Sequence, residues 1–397
     1  MKKKVVSLLA AMALAVTALA GCGSNDAATT GTDAATVAAT TEAAGTTEAT
    51  GTTEAATDSE AVTGVKAGFI FLHDENSTYD LNFLNAAKAA CEKLGIEYMT
   101  KTNIPEGQEA YEAACELADA GCNFIFADSF GHEDYIIEAA KEYPNVQFSH
   151  ATGTKAHTEG LDNFHNAFAS IYDGRYLAGI VAGMKTESNL IGYVSAMGSE
   201  NSECTGGIDA FAMGVYSVNP DAKVYVKVTN SWYSPTEETN AAKALLSEGC
   251  DVIAQHCDTP NPQLEAESAG KWGVGYNTDM SKDAPKATLT STLWNWSAYY
   301  TYQVKQIVDG NWKCENYYGG MADGLVDIAP LNMDICTEDM QKAVDEAKAK
   351  IEDGSFNVFD GVIETNDGKT VGEEGKTLDD ATITGGINWY FKNVEVK

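Results

Sequence analysis

Several short stretches of this chain share one form: an apolar run breaks off into Asp, Asn, Ser or His, usually with a ring close behind. They are "HDENSTY" (His73 to Tyr79), "DSF" (Asp128 to Phe130), "NSWY" (Asn230 to Tyr233), "HCD" (His256 to Asp258) and "NTD" (Asn277 to Asp279). Residues of these types offer two chemistries. Carboxylates beside imidazoles can move protons. Alternatively, aromatic faces flanked by amides and carboxylates can hold a planar ring, stacking on its surface and hydrogen-bonding its edge.

The second chemistry suits the sequence better. The chain has no G-x-S-x-G elbow, no P-loop, no G-x-G-x-x-G after a strand and no H-E-x-x-H. His73, His150 and His256 are scattered without metal-ligand spacing, so neither a metal nor any other cofactor is implied. The run "LTSTLWNWSAYY" adds Trp294, Trp296, Tyr299 and Tyr300 to Tyr79, Phe130 and Trp232. Stacking a base on one such ring is worth on the order of 1–3 kcal/mol. A hydroxyl-rich sugar would also stack, on fewer rings. Among the carboxylates Asp128, Asp258 and Asp279 stand at predicted strand ends, and Asp258 follows its apolar run most directly. Trp312, in "DGNW", reads as a turn residue.

The elements that must position these groups alternate. Strands are expected at Ala67–Leu72, Glu97–Lys101, Asn123–Ala127, Val146–Ser149, Leu190–Val194, Lys223–Val228, Val252–Gln255 and Gly273–Gly275. Amphipathic helices lie between them, at Leu81–Leu94, Glu109–Ala120, His132–Tyr143, Thr205–Val218 and Thr236–Glu248. Such alternation gives an α/β fold with parallel sheets. An internal likeness splits it in two: "AACELADAGCNFIFADSF" reads against "AAKALLSEGCDVIAQHCD", and "GFIFLHDENS" against "GYVSAMGSENS". Two related lobes follow, and ligands of parallel sheets sit beyond the carboxyl ends of the strands. Every polar stretch named above falls there.

The start of the chain gives an address. Lys2 to Lys4, the apolar run "VVSLLAAMALAVTALA" and "LAGC" read as a lipoprotein signal peptide over residues 1–22, with Cys22 as the lipid-bearing residue. Residues 23–64 are Ala, Thr, Gly and Glu without an apolar face, an unstructured tether. A location outside the cytoplasmic membrane follows. The net charge of −32 argues against nucleic acid and other polyanions. Eight cysteines besides Cys22 lie singly in apolar elements with no C-x-x-C, and read as free thiols.

The runs "DGRYLAGIVAGMKTESNLIGYVSA", "SVNPDAKVYVKVTNSWYSP", "DVIAQHCDTP", "GVGYNTDM" and "LTSTLWNWSAYY" closely resemble the basic membrane protein (BMP) family, over about Val65 to Asn332. These are substrate-binding lipoproteins of ABC transporters, related to purine nucleoside receptors. The resemblance implies a type I periplasmic-binding fold, two Rossmann-like lobes joined by a three-segment hinge. It implies lobe one at 65–160 plus 286–314 and lobe two at 161–285 plus 315–397. It also implies a monomer with no catalysis, handing a purine nucleoside or nucleobase to ABC permease subunits in the membrane. Tyr79 matches the ring that stacks on the base, and Asn76 lies near positions that hold the base edge. Asn277 stands where relatives carry an acid for ribose, and Trp294 where nucleoside binders carry a lysine. Those departures favour a nucleobase, or another flat heterocycle such as riboflavin, over a nucleoside. The expected site is Asn76, Tyr79, Ser129, Phe130, Trp232, Asp258, Asn277, Asp279 and Trp294, closing by hinge motion. A receptor lipoprotein serving a membrane sensor is the alternative.

Overall fold

The computed structural model describes residues 64–397; the signal peptide, Cys22 and nearly all of the tether lie outside the described residues. The first half runs β1 (Lys66–Ile70), α1 (Thr78–Leu94), β2 (Glu97–Lys101), α2 (Gln108–Asp119), β3 (Phe124–Ala127), α3 (Glu133–Glu142), β4 (Gln147–Ala151), α4 (Ala156–Glu159) and β5 (Phe164–Ala169). The second half begins with α5 (Ile171–Lys185), β6 (Leu190–Ser195), α6 (Ser202–Val218), β7 (Lys223–Val228), α7 (Pro235–Ser247), β8 (Val252–His256), α8 (Asn261–Ser268), β9 (Trp272–Asn277) and β10 (Thr288–Trp294). Then follow α9 (Trp296–Val308), β11 (Tyr317–Gly319), β12 (Val326–Ile328), α10 (Glu338–Glu352), a small hairpin β13 (Ile363–Glu364) and β14 (Thr370–Val371), α11 (Asp380–Gly385) and β15 (Val394–Val396).

Two sheets result, ordered β2-β1-β3-β4-β5-β11 and β15-β7-β6-β8-β9-β10-β12. All pairs of the first are parallel; in the second only β12 runs antiparallel, against β10. The shared order bears out the internal likeness. Gly121 and Gly249 both end a helix at positive φ, 88° and 98°, a conformation glycine adopts without steric cost. The Cys122 and Cys250 that follow them are both buried.

The lobe boundaries need correction. Residues 164–169 form β5 of the first sheet, not part of the second lobe. Residues 288–294 form β10 of the second sheet, not part of the first, and β11 at 317–319 returns to the first. The chain therefore crosses between lobes near Ser170, near Asn295 and within Gly320–Leu325. These crossings lie side by side: Ser170 N donates to Gly319 O at 2.9 Å, Asn295 N to Leu325 O at 2.7 Å, and Leu325 N to Gly320 O at 3.1 Å.

Helix α1 shows how the sequence sets its position. Ser77 caps it by accepting from Asp80 N, and Gly95 ends it in the left-handed region at φ 65°. Phe83, Ala86, Ala87, Ala90, Cys91 and Leu94 are buried at three- and four-residue steps, one helical stripe. That stripe meets α9, where Phe83 stacks on Trp296 with centroids 4.7 Å apart; Phe69 of β1 meets Tyr300 of the same helix at 4.9 Å. The Arg-Tyr-Leu-Ala-Gly run lies in α5. A Cβ on Gly179 would fall 2.1 Å from Phe211 O of α6, so the glycine permits the two backbones to touch. The eight internal cysteines are unpaired, as expected.

Candidate functional site

The loops beyond the strand ends meet at the seam between lobes. From the first lobe come the start of α1 and the end of β3. Tyr79 donates from its hydroxyl to Asp128 O at 2.8 Å, while Leu72 N donates to Asp128 Oδ1 at 3.2 Å. Asp128 is fully buried and its Oδ2 has no partner; burial, reinforced by Asp80, holds its carboxyl well above the ordinary range. Asp80 itself is pulled the other way. Burial works against its charge, but bonds from His73 and Ser77 lower it on balance.

The second lobe presents the ends of β7, β8, β9 and β10. Asp258 N donates to Trp232 O at 2.9 Å. Asn277, wholly buried and at φ +66°, donates from Nδ2 to Asp258 Oδ1 at 2.9 Å. Trp294 is buried and donates from Nε1 to Tyr276 OH at 3.1 Å. Burial raises the Asp258 carboxyl far above its usual value, against the lowering bond from Asn277. Behind these groups the Arg175 guanidinium lies 3.9 Å over the Tyr276 ring and donates from Nη1 to Gln255 O at 2.6 Å.

Direct bonds close the two lobes against each other. Thr78 N donates to Asp258 O at 3.0 Å. Asn82, one turn further along α1, donates from Nδ2 to both Asn277 O (2.6 Å) and Trp294 O (2.8 Å). Asn277 Nδ2 lies 3.4 Å from Thr78 Oγ1, and His73 stacks on Tyr233 with centroids 5.4 Å apart. A train of rings crosses the same region: Tyr79 to Phe83 at 4.8 Å, Phe83 to Trp296, then Trp296 to Trp294 at 5.3 Å and Trp294 to Phe168 at 5.8 Å. Beside it a void of about 10 Å³, near the smallest that holds one water, is lined by Phe168, Tyr172, Glu203, Gly207 and Tyr318.

Of the nine expected residues, Tyr79, Trp232, Asp258, Asn277 and Trp294 meet at this seam. Ser129 is buried just behind it, donating to Glu106 Oε1 at 2.5 Å. Three others are not brought in. Asn76 is exposed and donates to Asp74 Oδ1 at 2.7 Å within its own turn. Phe130 is 63% exposed and makes no ring contact. Asp279 accepts from Ser281 N and Oγ at 3.1 and 2.6 Å, a local helix cap. Sequence reasoning overlooked Thr78, Asn82, Arg175, Glu203 and Tyr276 as site residues. A signal existed for two of them: Thr78 and Asn82 are four apart at the start of a helix and so share a face.

A family model described as "ABC transporter substrate-binding protein PnrA-like" matches residues 71–357. A purine-binding protein of Brucella abortus is 37% identical over 271 residues, covering 67% of this chain and 75% of that protein. A putative ABC transporter glucose-binding protein of Haloferax volcanii is 36% identical over 232 residues, 58% of this chain and 57% of that protein. Among solved structures, an ABC transporter solute-binding protein from Conexibacter woesei superposes with a TM-score of 0.65 at 18% identity, over 74% of this chain and 98% of that one. That likeness shows the fold, the type I periplasmic-binding arrangement of two parallel-sheet lobes. Helices of the described residues include none long and apolar enough to cross a membrane. The chain belongs to the Bmp family of ABC transporter substrate-binding proteins, which bind solutes rather than transform them.

Proposed function

We propose that this protein captures a purine-type heterocycle, a nucleobase in preference to a nucleoside, and delivers it to an ABC permease. One observation carries the preference. Asn277 and Trp294, the two departures from nucleoside-binding relatives, are buried and bonded inward, to Asp258 and to Tyr276. Neither offers the carboxylate or the cation that would grip a sugar, and charge-assisted bonds of that kind are worth roughly 1.5–3 kcal/mol each. Tyr79 and Trp232, both half-buried at the seam, supply faces for a flat guest from either lobe. The purine-binding relative supports the ligand class.

Calorimetry with adenine, adenosine, guanosine, riboflavin and glucose tests this reading. Adenine should bind at least tenfold more tightly than adenosine. Tighter adenosine overturns the preference, and tight glucose with no base bound moves the chain to the sugar reading suggested by the Haloferax relative's name. Attachment outside the membrane through lipidated Cys22 belongs to the same proposal. Labelled fatty acid should enter the wild-type chain and not Cys22→Ser.

A further inference from the structure

We propose that Glu203 is a specificity-determining residue of the cleft, selecting planar heterocycles that offer it an N–H donor such as an exocyclic amine. The inference rests on the purine reading above and adds which purines. Glu203 stands in the first turn of the 17-residue α6, whose cap is Asn201 accepting from Cys204 N at 2.9 Å. Its side chain keeps 19% of its surface exposed and lines the interlobe void with Phe168 and Tyr318 from one side and Tyr172 and Gly207 from the other.

A structural role would give this carboxylate a partner. Arg175, 1% exposed, retains Nε and Nη2 without partners. Were Glu203 its counter-ion, the two would close to within 4 Å, as the protein's other ion pairs do. Among the described residues no such Arg175–Glu203 pair forms. Among the described residues the one ion-pair approach to Glu203 is from His256 Nε2, at 3.6 Å, too long for a hydrogen bond. That nitrogen is itself buried and unpartnered. Glu203 thus lines the void with no hydrogen-bonded partner among the described residues, and the Arg175 charge acts on it from beyond ion-pair distance. A Cβ on Gly207 would meet His256 Cε1 and Nδ1 at 2.9 Å, so the glycine leaves the space in which His256 stands against α6.

The neighbouring carboxylates are of one kind with it. Asp128 Oδ2 is buried without a partner, and Asp258 accepts only from the Asn277 amide. Glu203, the carboxyl that lines the void, is complementary to a guest that offers it a donor. Adenine, with an amine on its edge, satisfies that pattern better than unsubstituted purine.

The test is calorimetry of the full-length protein and its Glu203→Gln and Glu203→Asp variants against adenine and unsubstituted purine, with thermal unfolding alongside. At pH 8.5, where the Glu203 carboxyl is ionised, Glu203→Gln should weaken adenine about tenfold, the difference between a charge-assisted and a neutral bond, and change unsubstituted purine less than threefold. Glu203→Asp keeps the charge but loses reach, so it should weaken adenine as well; a residue needed only for charge balance would be rescued. Adenine affinity unchanged in both variants, or both purines weakened alike, overturns the assignment. If no base binds the wild type, the purine reading fails by itself. Benzamidine, a planar amidine, then decides Glu203: binding lost in Glu203→Gln upholds it, whereas binding indifferent to the substitution, or none, overturns it.

Discussion

Replacing Asn82 with alanine should loosen the lobes without unfolding either. The Asn82 amide gives one hydrogen to Asn277 O and one to Trp294 O, at 2.6 and 2.8 Å. Each intramolecular bond is worth about 1 kcal/mol net. Both join α1 of the first lobe to strand ends of the second, so they exist only in the closed form. When the lobes part, the two carbonyls return to water and carry no penalty. Removing the amide therefore costs the closed form about 2 kcal/mol relative to the open one, a shift of about thirtyfold in their ratio. Because a solute held between lobes leaves through the open form, its dissociation should quicken by a similar factor. Fluorescence energy transfer between a label on each lobe gives the ratio, and stopped-flow release gives the rate. The midpoint of unfolding should barely move, since no bond within a lobe is lost. An unchanged transfer efficiency together with an unchanged release rate would refute the latch, and would mean that Thr78 and the ring contacts suffice to hold closure.

Three other outcomes follow from the same geometry. Tyr79→Ala should weaken base binding by about tenfold or more through lost stacking, whereas Tyr79→Phe loses only the bond to Asp128 O and should weaken it no more than about fivefold; equal affinities in titration would remove Tyr79 from the site. Asp251→Ala should destabilise the second lobe by about 3 kcal/mol in denaturant unfolding, because Asp251 accepts from Thr186 Oγ1 and from the backbone of Glu187 and Ser188 at 2.6–2.7 Å, and three donors would be left without it. The third concerns pH. Burial raises the Glu203 carboxyl from 4.5 to about 7, so its contribution is fully present below pH 4.5 and is lost as pH rises through 7. The buried histidines, which burial keeps neutral, act in the opposite sense below 6.5, so the difference between variants isolates the carboxyl. Wild type should lose roughly 1–3 kcal/mol relative to Glu203→Gln between pH 5 and 8, measured by calorimetric unfolding.

Much of the scaffold was legible. The strands β2 and β7 fall where expected, and the others named from sequence lie within two residues at their ends; the apolar runs of β1, β3, β4, β6, β8 and β9 answer to burial on both faces. The strands β5 and β10 were not foreseen. Their runs, "FHNAFA" and "TLTSTLW", carry His165, Asn166, Thr290 and Ser291 into the interior, and polar residues that find partners there look like loop from the outside. Missing them displaced the lobe boundaries, since only pairing over long range decides which sheet a strand joins. The site divides in the same way. Strand ends point to the seam, which brought in Tyr79, Trp232, Asp258, Asn277 and Trp294. Asn76 and Asp279 have the same composition around them but spend their side chains on neighbours one or two residues away. Local capping and ligand binding draw on the same residue types, and the sequence alone does not separate them.

The Trp294–Trp296 pair has a use beyond packing. One indole closes β10 of the second lobe and the other opens α9 of the first, with the crossover residue Asn295 between them and their planes 15° apart. Any swing of one lobe about that crossover must slide one indole across the other. The molecule therefore carries an optical gauge of its own opening, and ultraviolet emission can follow capture and release in unlabelled protein.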